Sequence, residues 1–381
     1  MNISIIHPFF DSIGGAEQIT MILLKILHEL GYKVKLYTVI PPILTPNNTQ
    51  IISIKKLIKE NDNLPPILNI IIRNVIPSRL KRLMQEKKIT SMALDNEKIV
   101  FVMGGNMPFL KTSNAKAYVY CNSIFDSEGQ YIIKQFSGPK SIYNNIIKTI
   151  IQKKYQAFLN TNAQLITNSF YTKSKIMERF GKTSVLIYPP VDLDKFKNKS
   201  ETPKKDQIAS IIRISPEKNP LQLIDIILKS NYPAQIGCSG KDKVSEDLYQ
   251  TLLQKTRTRN ITFYYNIPDI RIDNLLAHSK IYLQSSQETF GIAVIEAMAS
   301  GCIPIVPNNS ANIETVPFVE LRFENKEEAI IKIKEAMNGK YDYLLPNLKT
   351  HLEKFSILKF KESISTLITH NKMIKQNNQI C

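Results

Sequence analysis

Two glutamates that stand eight residues apart are the best candidates for ligand chemistry in this sequence. Glu288 follows the apolar run Ile281–Leu283, and Glu296 lies on an apolar segment that begins after Gly291 and ends before Gly301. This order predicts a strand, a short loop and a helix. Backbone N–H groups at a helix start suit a diphosphate, and carboxylates accept hydrogen bonds from hydroxyl groups, so a sugar nucleotide fits both. The alternative is an ordinary buried helix with a capping acid and an incidental glutamate.

Two cations follow another predicted strand. Residues Ile208–Ile212 run into Arg213, and Lys218 comes five residues later in a loop that contains prolines. Ligands of α/β folds bind beside the carboxyl ends of strands. Arginine through its planar fork and lysine as a point charge are therefore candidates to neutralise a departing diphosphate. The alternative is a solvent-facing loop with two ordinary cations.

The first residues show the pattern of a strand, a tight turn and a helix. We predict a buried strand over 2–10 and a helix over 18–30. Gly14 and Gly15 in the turn between them let the backbone approach a ligand, for which phosphate is the usual candidate. The G-x-G-x-x-G spacing of dinucleotide folds is missing, so NAD binding is not favoured.

Strand and helix patterns alternate along both halves of the chain, which predicts an α/β fold with mostly parallel, doubly wound sheets. The prolines at 189–190 and the polar run 195–205 indicate a linker. Two such domains facing each other would leave a cleft for two substrates. The predicted later strands are 33–40, 99–103, 117–120, 164–167, 184–188, 207–213, 234–237, 261–264, 281–283 and 303–306.

Composition argues against several classes of protein. With 381 residues and 43% apolar residues, the chain has room for two globular domains. The five histidines show no HExxH or HxH spacing, and no apolar run approaches the roughly 20 residues of a membrane span. The chain opens on a strand without a signal peptide, so we expect a cytoplasmic protein. Neither a disulfide framework nor a zinc site is predicted, because four cysteines lie far apart without a CxxC pair: Cys121, Cys238, Cys302 and Cys381.

The net charge of +17 is concentrated in the first half. Residues 1–200 hold 27 Lys and Arg against 13 Asp and Glu, mostly within Lys55–Lys88 and Lys134–Lys182, where cations alternate with isoleucine, leucine and aromatic residues. Such a surface fits an anionic membrane leaflet, at about 1 kcal/mol per cation. Nucleic acid is the competing partner, but no nucleic-acid-binding motif supports it. A solvated lysine-rich surface is the remaining alternative, and we predict peripheral attachment at the cytoplasmic face of a membrane.

Taken together and in this order, these pieces resemble the family 4 retaining glycosyltransferases of the GT-B fold. The resemblance implies two facing Rossmann-like domains: an acceptor-binding domain over 1–195 and a nucleotide-sugar-binding domain over 196–355. A C-terminal helix over 356–381 would pack back on the first domain. The residues that carry the resemblance are Gly14-Gly15-Ala16-Glu17, Asn168-Ser169, Tyr188–Asp192 with Phe196, Arg213 with Lys218, Glu288 with Phe290-Gly291, Glu296–Pro304, and Phe355-Ser356.

The same resemblance implies catalytic and donor-binding residues. Arg213 and Lys218 would hold the diphosphate and stabilise the leaving group, and Glu288 would bind sugar hydroxyls. Glu296 would bind the ribose. The remaining donor-binding residues would be Gly14 and Gly15, closing over the diphosphate, the amides around Phe290, Gly291 and Ile292, and Asn122.

Two positions depart from the expected pattern. Asp192-Leu-Asp194 is formally the metal-binding DxD of the other glycosyltransferase fold, but it follows Tyr188–Val191, where this family commonly has an acid that is not a ligand. Many relatives also carry a histidine near the sugar, where this chain has Asn122. An amide can bind a sugar hydroxyl but cannot supply an imidazolium.

The implied activity is retaining transfer of a hexose, mannose or glucose, from GDP- or UDP-hexose to a lipid-linked oligosaccharide or another glycan. Neither a metal nor a cofactor is implied. Dolichol-pathway mannosyltransferases are the nearest relatives that the sequence suggests. The alternative, which Asn122 favours, is a catalytically weak GT-B scaffold that binds a membrane or a partner glycosyltransferase.

Overall fold

We analysed a computed structural model, which describes residues 2–10, 14–53, 78–104, 108–111, 113–123, 140–240, 242–257, 259–266 and 269–377. Much of the two basic stretches, at 55–77 and 134–139, lies outside these residues. The chain forms two compact units. The first is Met1–Ile187 with Ser363–Cys381, and the second is Tyr188–Glu362.

The first unit contains a seven-stranded parallel sheet with the order β3-β2-β1-β4-β5-β6-β7. Its strands are β1 (Asn2–Ile6), β2 (Lys33–Thr38), β3 (Gln50–Ser53), β4 (Ile99–Val102), β5 (Lys116–Cys121), β6 (Gln164–Thr167) and β7 (Ser184–Leu186). Among the described residues up to Ile187, its helices are α1 (Gly15–Glu29), α2 (Ser78–Asn96), α3 (Lys140–Leu159) and α4 (Phe170–Phe180).

The opening strand and helix differ in length from the prediction. Strand β1 ends at Ile6, because Pro8 has no N–H group to continue a ladder. Beyond Ile6 the regular pairing with β2 ends, although single hydrogen bonds continue. The Val39 N–H, for example, donates to the Pro8 carbonyl at 2.8 Å. Helix α1 begins at Gly15 rather than at residue 18, because Gly14 caps it in an extended conformation together with Glu17.

The second unit contains a six-stranded parallel sheet with the order β10-β9-β8-β11-β12-β13. The parallel, doubly wound architecture that the sequence predicts is thus confirmed. The strands are β8 (Lys205–Arg213), β9 (Ala234–Ser239), β10 (Ile261–Tyr265), β11 (Ser279–Leu283), β12 (Ile303–Pro307) and β13 (Arg322–Phe323). The helices are α5 (Pro220–Ser230), α6 (Lys243–Thr256), α7 (Asp269–His278), α8 (Ile292–Ala299), α9 (Asn312–Thr315), α10 (Lys326–Met337) and α11 (Leu345–Leu352).

The predicted linker is part of the second unit. Val191 and Phe196 are buried in its core, and the polar run around Phe196 forms a short 3-10 helix. Lys195 and Lys199 of this helix both form ion pairs with the buried Asp273, at 3.0 and 2.8 Å. The boundary between the units therefore lies at Ile187, ahead of the predicted residue 195.

The last helix, α12 (Ile357–Asn377), begins in the second unit, and the residues from Ser363 onward belong to the first. Within the described ranges, no helix combines the length and the apolar character needed to cross a bilayer. Two short strands, β3 and β13, were not predicted, and the two residues of β13 are too few to form a recognisable pattern.

Candidate active site

The predicted charged residues of the second unit meet where the strand order of its sheet changes direction. Strand β8 lies beside both β9 and β11, so the helices that follow β8 and β11 cover opposite faces. Arg213 is the last residue of β8, and Glu288 lies in the loop between β11 and α8. Open parallel sheets bind their ligands at this kind of crevice, outside the carboxyl ends of the strands.

Lys218 and Glu288, 70 residues apart in the chain, form the centre of this site. The Lys218 Nζ donates to both carboxylate oxygens of Glu288, at 2.7 Å each. Glu288 Oε1 also accepts hydrogen bonds from Gln284 Nε2 at 3.1 Å and from Ser286 Oγ at 3.2 Å. The side chains of Lys218 and Glu288 are 21% and 17% exposed, so the pair is sheltered but still open to solvent. The structure thus holds a cation and a carboxylate ready to bind a ligand at one point.

The backbone around Glu288 is held on both sides. Its N–H donates to Ser310 Oγ at 3.1 Å, and its carbonyl accepts from the Ala311 N–H at 3.1 Å. Gly291, the cap of α8, has φ 91° and ψ 63°, a left-handed conformation that favours glycine. The turn therefore presents the first N–H groups of α8 beside Glu288, as the sequence predicts for this glycine.

The Phe290 side chain anchors this turn in the core of the second unit. It is buried and packs against Tyr188 and Phe355, with ring centroids 5.9 and 5.3 Å away. The Tyr188 and Phe355 rings also contact each other edge to face, at 5.1 Å. Only the backbone of Phe290 is therefore available to a ligand, which agrees with the role predicted for the amides of this segment.

Glu296 lies one turn into α8 and is half-buried. The buried hydroxyl of Tyr282 reports on its position. Burial raises the pKa of Tyr282 well above its ordinary value, and the charges of both Glu288 and Glu296 raise it further. The charges of the two glutamates that the sequence spacing singled out therefore both act on one buried hydroxyl group.

Arg213 forms a separate and more exposed pair. Its guanidinium donates to Glu217 Oε1 at 2.9 Å, and the two side chains are 60% and 52% exposed. Burial opposes ionisation of Glu217, but hydrogen bonds from its own backbone, Ser215 and Arg213 outweigh it and lower the pKa of this carboxyl. Both predicted cations thus carry a carboxylate partner in this structure, and a diphosphate would compete with these partners.

Residues at the carboxyl edge of the first unit's sheet form a second group. Asn122 follows β5, and its Nδ2 donates to the Gly104 carbonyl after β4, at 3.4 Å. Asn168, which follows β6, donates from its Nδ2 to the Asn122 carbonyl at 3.0 Å. Asn168 entered the sequence analysis only as part of a resemblance, and the structure shows that it fixes the backbone of Asn122.

The Gly14 turn uses an acid of its own. The Gly14 N–H donates to Glu17 Oε2 at 3.1 Å, and a Cβ at Gly14 would lie 2.8 Å from that oxygen. Burial opposes ionisation of Glu17, but its bonds with His7, its own backbone and Gly14 hold the pKa below its ordinary value. Gly15 is the exposed first residue of α1. Sequence reasoning gave Glu17 no role, although an acid three positions after the cap is the capping-box spacing.

The formal DxD lies in the loop and short helix that open the second unit. Asp192 Oδ1 accepts from the Lys195 N–H at 3.4 Å, and Asp194 forms an ion pair with Lys197. In the part of the chain that the structure describes, no three His, Cys, Asp or Glu residues lie together as metal ligands would.

Comparison with known proteins agrees with the fold. Residues 192–340 match the family model of the glycosyl transferases group 1. A curated relative, the GDP-Man:Man(3)GlcNAc(2)-PP-Dol alpha-1,2-mannosyltransferase of Dictyostelium discoideum, is 24% identical over 302 residues. That match covers 71% of this chain and 58% of the relative, so the chain spans little more than half of its length.

Two solved structures have the same fold over almost the whole chain. WaaG, a glycosyltransferase involved in lipopolysaccharide biosynthesis, gives a TM-score of 0.69 at 12% identity, covering 96% of this chain and 99% of its own. HepE from Anabaena, solved with UDP and glucose, gives a TM-score of 0.64 at 14% identity, covering 97% of this chain and 99% of its own.

The fold is that of the GT-B glycosyltransferases, and residues 192–340 of the second unit are similar to the group 1 glycosyl transferases. The matched segment contains the Lys218–Glu288 pair, Arg213 and Glu296. Within this class, the curated relatives that the chain matches are GDP-mannose alpha-1,2-mannosyltransferases, so the predicted kinship with dolichol-pathway enzymes is confirmed.

Proposed function

We propose that this protein transfers a hexose, mannose in the first instance, from a nucleotide-diphosphate sugar to a lipid-linked oligosaccharide or a similar glycan. The observation that carries the proposal is the Lys218–Glu288 pair at the strand-order change of the second sheet. A cation and a carboxylate at one point suit the diphosphate and the adjacent hexose of such a donor. The names of the matched relatives favour GDP-mannose over UDP-hexose.

Binding of the donor would reorganise the two ion pairs. The diphosphate competes with Glu288 for Lys218 and with Glu217 for Arg213, because phosphate oxygens carry more charge than one carboxylate. Once released, Glu288 can accept hydrogen bonds from hexose hydroxyls, while Gln284 and Ser286 still orient it. The amides at the start of α8 and the carboxylate of Glu296 would hold the phosphate or sugar and the ribose.

The transfer step would retain the configuration at the anomeric carbon. The bond between that carbon and the diphosphate oxygen breaks as the acceptor hydroxyl attacks from the same face. The acceptor proton passes to the departing phosphate oxygen. Lys218 and Arg213 would supply the positive charge that stabilises the leaving diphosphate, which supports a reaction without a metal.

The acceptor and the membrane belong to the same proposal. The relatives' names specify a dolichol-linked glycan, and a polyprenyl-linked acceptor lies at a membrane surface. The excess of Lys and Arg in the first 200 residues supports attachment to an anionic leaflet, for which we propose the cytoplasmic face.

A thermal-shift panel with GDP, UDP, ADP and NAD tests the donor site. A ligand at 100 times its Kd adds about 2.7 kcal/mol to the free energy of unfolding, which gives an easily measured shift. We expect GDP to stabilise the wild type and to lose its effect in Glu296→Ala. Transfer of mannose from GDP-mannose to a short-chain lipid-linked glycan, with the anomer assigned by NMR, then tests the reaction. An inverted product would refute the retaining mechanism.

No stabilisation by any nucleotide would contradict the proposal and favour the scaffold function. The observation behind that second candidate is Asn122, whose amide is bonded to the Gly104 carbonyl and cannot act as an imidazolium. Asn122→His tests the scaffold function, because a scaffold gains no transferase activity from this change.

A further inference from the structure

The loop between β2 and β3 presents two apolar side chains to solvent. Ile43 is 99% exposed and Leu44 is 80% exposed, which makes them the most exposed large apolar residues among those that the structure describes. They occupy the tip of the segment Pro41–Pro46, which prolines bound on both sides. Single exposed apolar residues are common, but two adjacent ones at a proline-bounded tip suggest a surface that something covers.

This tip lies at the ligand edge of the first unit's sheet. The Phe10 N–H donates to the Ile40 carbonyl at 3.1 Å, and Phe9 and Ile40 form a parallel bridge. The tip is therefore joined by hydrogen bonds to the segment that leads from β1 towards the Gly14 turn. A molecule that covers the tip would bring its own surface to the edge where parallel sheets bind ligands.

One cation of α2, Arg82, lies at the base of the tip. Its guanidinium lies 3.7 Å from the centroid of the Phe9 ring, which places it at the start of the loop. Lys87 and Lys88 are also exposed, but they follow five and six positions later and so lie on other faces of the helix. The same helix also exposes Met84, at 56%.

We propose that the Ile43–Leu44 tip inserts into the headgroup region of an anionic bilayer, with Arg82 of α2 close to the lipid phosphates. This inference rests on the membrane attachment proposed above and assigns it to particular residues. Apolar side chains beside cations match an anionic leaflet, which offers hydrocarbon beneath negative charge. A lipid-borne acceptor would then reach the carboxyl edge of the first sheet directly from the membrane.

A second copy of the chain is the competing occupant. Stable protein interfaces bury about 800 Å² on each partner, far more than two side chains at a narrow tip provide. The net charge of +17 on each chain would also oppose the approach of a second copy. Both arguments favour a lipid surface.

The absence of tryptophan from the chain allows a direct test. In Leu44→Trp the single indole reports on the tip, and the matched variant Val244→Trp reports on α6, where Val244 is 56% exposed. With vesicles of phosphatidylcholine and phosphatidylglycerol, we expect the emission of Leu44→Trp to shift to the blue and to be quenched by brominated lipid. Val244→Trp should show neither effect. An unchanged Leu44→Trp spectrum refutes the proposal, as does a shift that depends on protein concentration without vesicles.

A double substitution separates the tip from the donor site. Ile43→Ser with Leu44→Ser should lower partition onto the same vesicles by about 100-fold, because each fully inserted apolar side chain contributes roughly a factor of ten or more. Stabilisation by GDP should be unchanged in this variant. If the double variant partitions onto vesicles as the wild type does, insertion of the tip is contradicted. If GDP does not stabilise the wild type, only the proposed donor site is contradicted.

Discussion

Replacing Glu288 by glutamine should separate recognition of the hexose from recognition of the diphosphate. The carboxylate accepts two bonds from Lys218 and one each from Gln284 and Ser286. Glutamine keeps the shape of the side chain but removes its charge. Lys218 then has no competing anion and is free to bind phosphate, while the hexose loses a charged acceptor.

The size of the effect follows from these contacts. A hydrogen bond to a charged group contributes about 1.5–3 kcal/mol, and the 17% exposed carboxylate is sheltered enough for that range to apply. Since 1.4 kcal/mol corresponds to about tenfold, kcat/KM for GDP-mannose should fall by about 10- to 100-fold. The Kd for GDP alone should stay the same or decrease by a few fold.

Calorimetric titration with GDP and initial rates with GDP-mannose measure the two quantities. Glu335→Gln is the matched control, because Glu335 of α10 also forms an ion pair with a lysine, Lys340, at 2.6 Å. This substitution should leave both quantities unchanged. If GDP binding weakens as much as kcat/KM, Glu288 acts by holding Lys218 in place, and the reasoning fails. Unchanged kcat/KM would equally remove Glu288 from hexose binding.

Three further predictions concern stability. Burial lowers the pKa of His351 below its ordinary value of 6.5, so the unfolded chain binds the proton more readily, and unfolding free energy should fall as pH falls from 6.5 through the folded pKa. Urea titrations at pH 7.5 and 5.5 should show that His351→Gln loses less unfolding free energy between these pH values than the wild type does. An equal loss in the two proteins would contradict this. Lys154→Met removes the ammonium partner of the buried Glu86 carboxylate and should cost about 3–5 kcal/mol, of which Glu86→Gln in the same chain should recover part. No recovery would show that packing, not charge, dominates. Gly301→Ala should cost about 2 kcal/mol, because φ is +83° and the new Cβ would lie 3.2 Å from the Ser200 carbonyl oxygen. A chemical-denaturation midpoint equal to that of wild type would refute that estimate.

Local patterns in the sequence were sufficient for much of the fold. Strand β6, Gln164–Thr167, has the predicted bounds, and Gly291 and Gly301 mark the two ends of α8 as predicted. These features depend on neighbouring residues, because strand and helix patterns and left-handed glycines are properties of short segments. The parallel sheets follow from the alternation of such segments.

The assignment of residues to cores depended on tertiary structure. Phe196 lies in a polar run that reads as a linker, yet it is 1% exposed in the second unit. One aromatic side chain among lysines gives no periodic signal. Its burial is decided by the neighbouring strands and by Asp273, which binds two of the lysines.

The sequence by itself therefore determined the class of fold, the two α/β halves and the residue types of the site. Only the tertiary structure decided that Lys218 pairs with Glu288 and Arg213 with Glu217. It also brought the charges of Glu288 and Glu296 within range of the same buried tyrosine hydroxyl, whose pKa both raise. The physical reason is that sequence spacing specifies local geometry, whereas the distance between residues 70 positions apart depends on which strands become neighbours in the sheet.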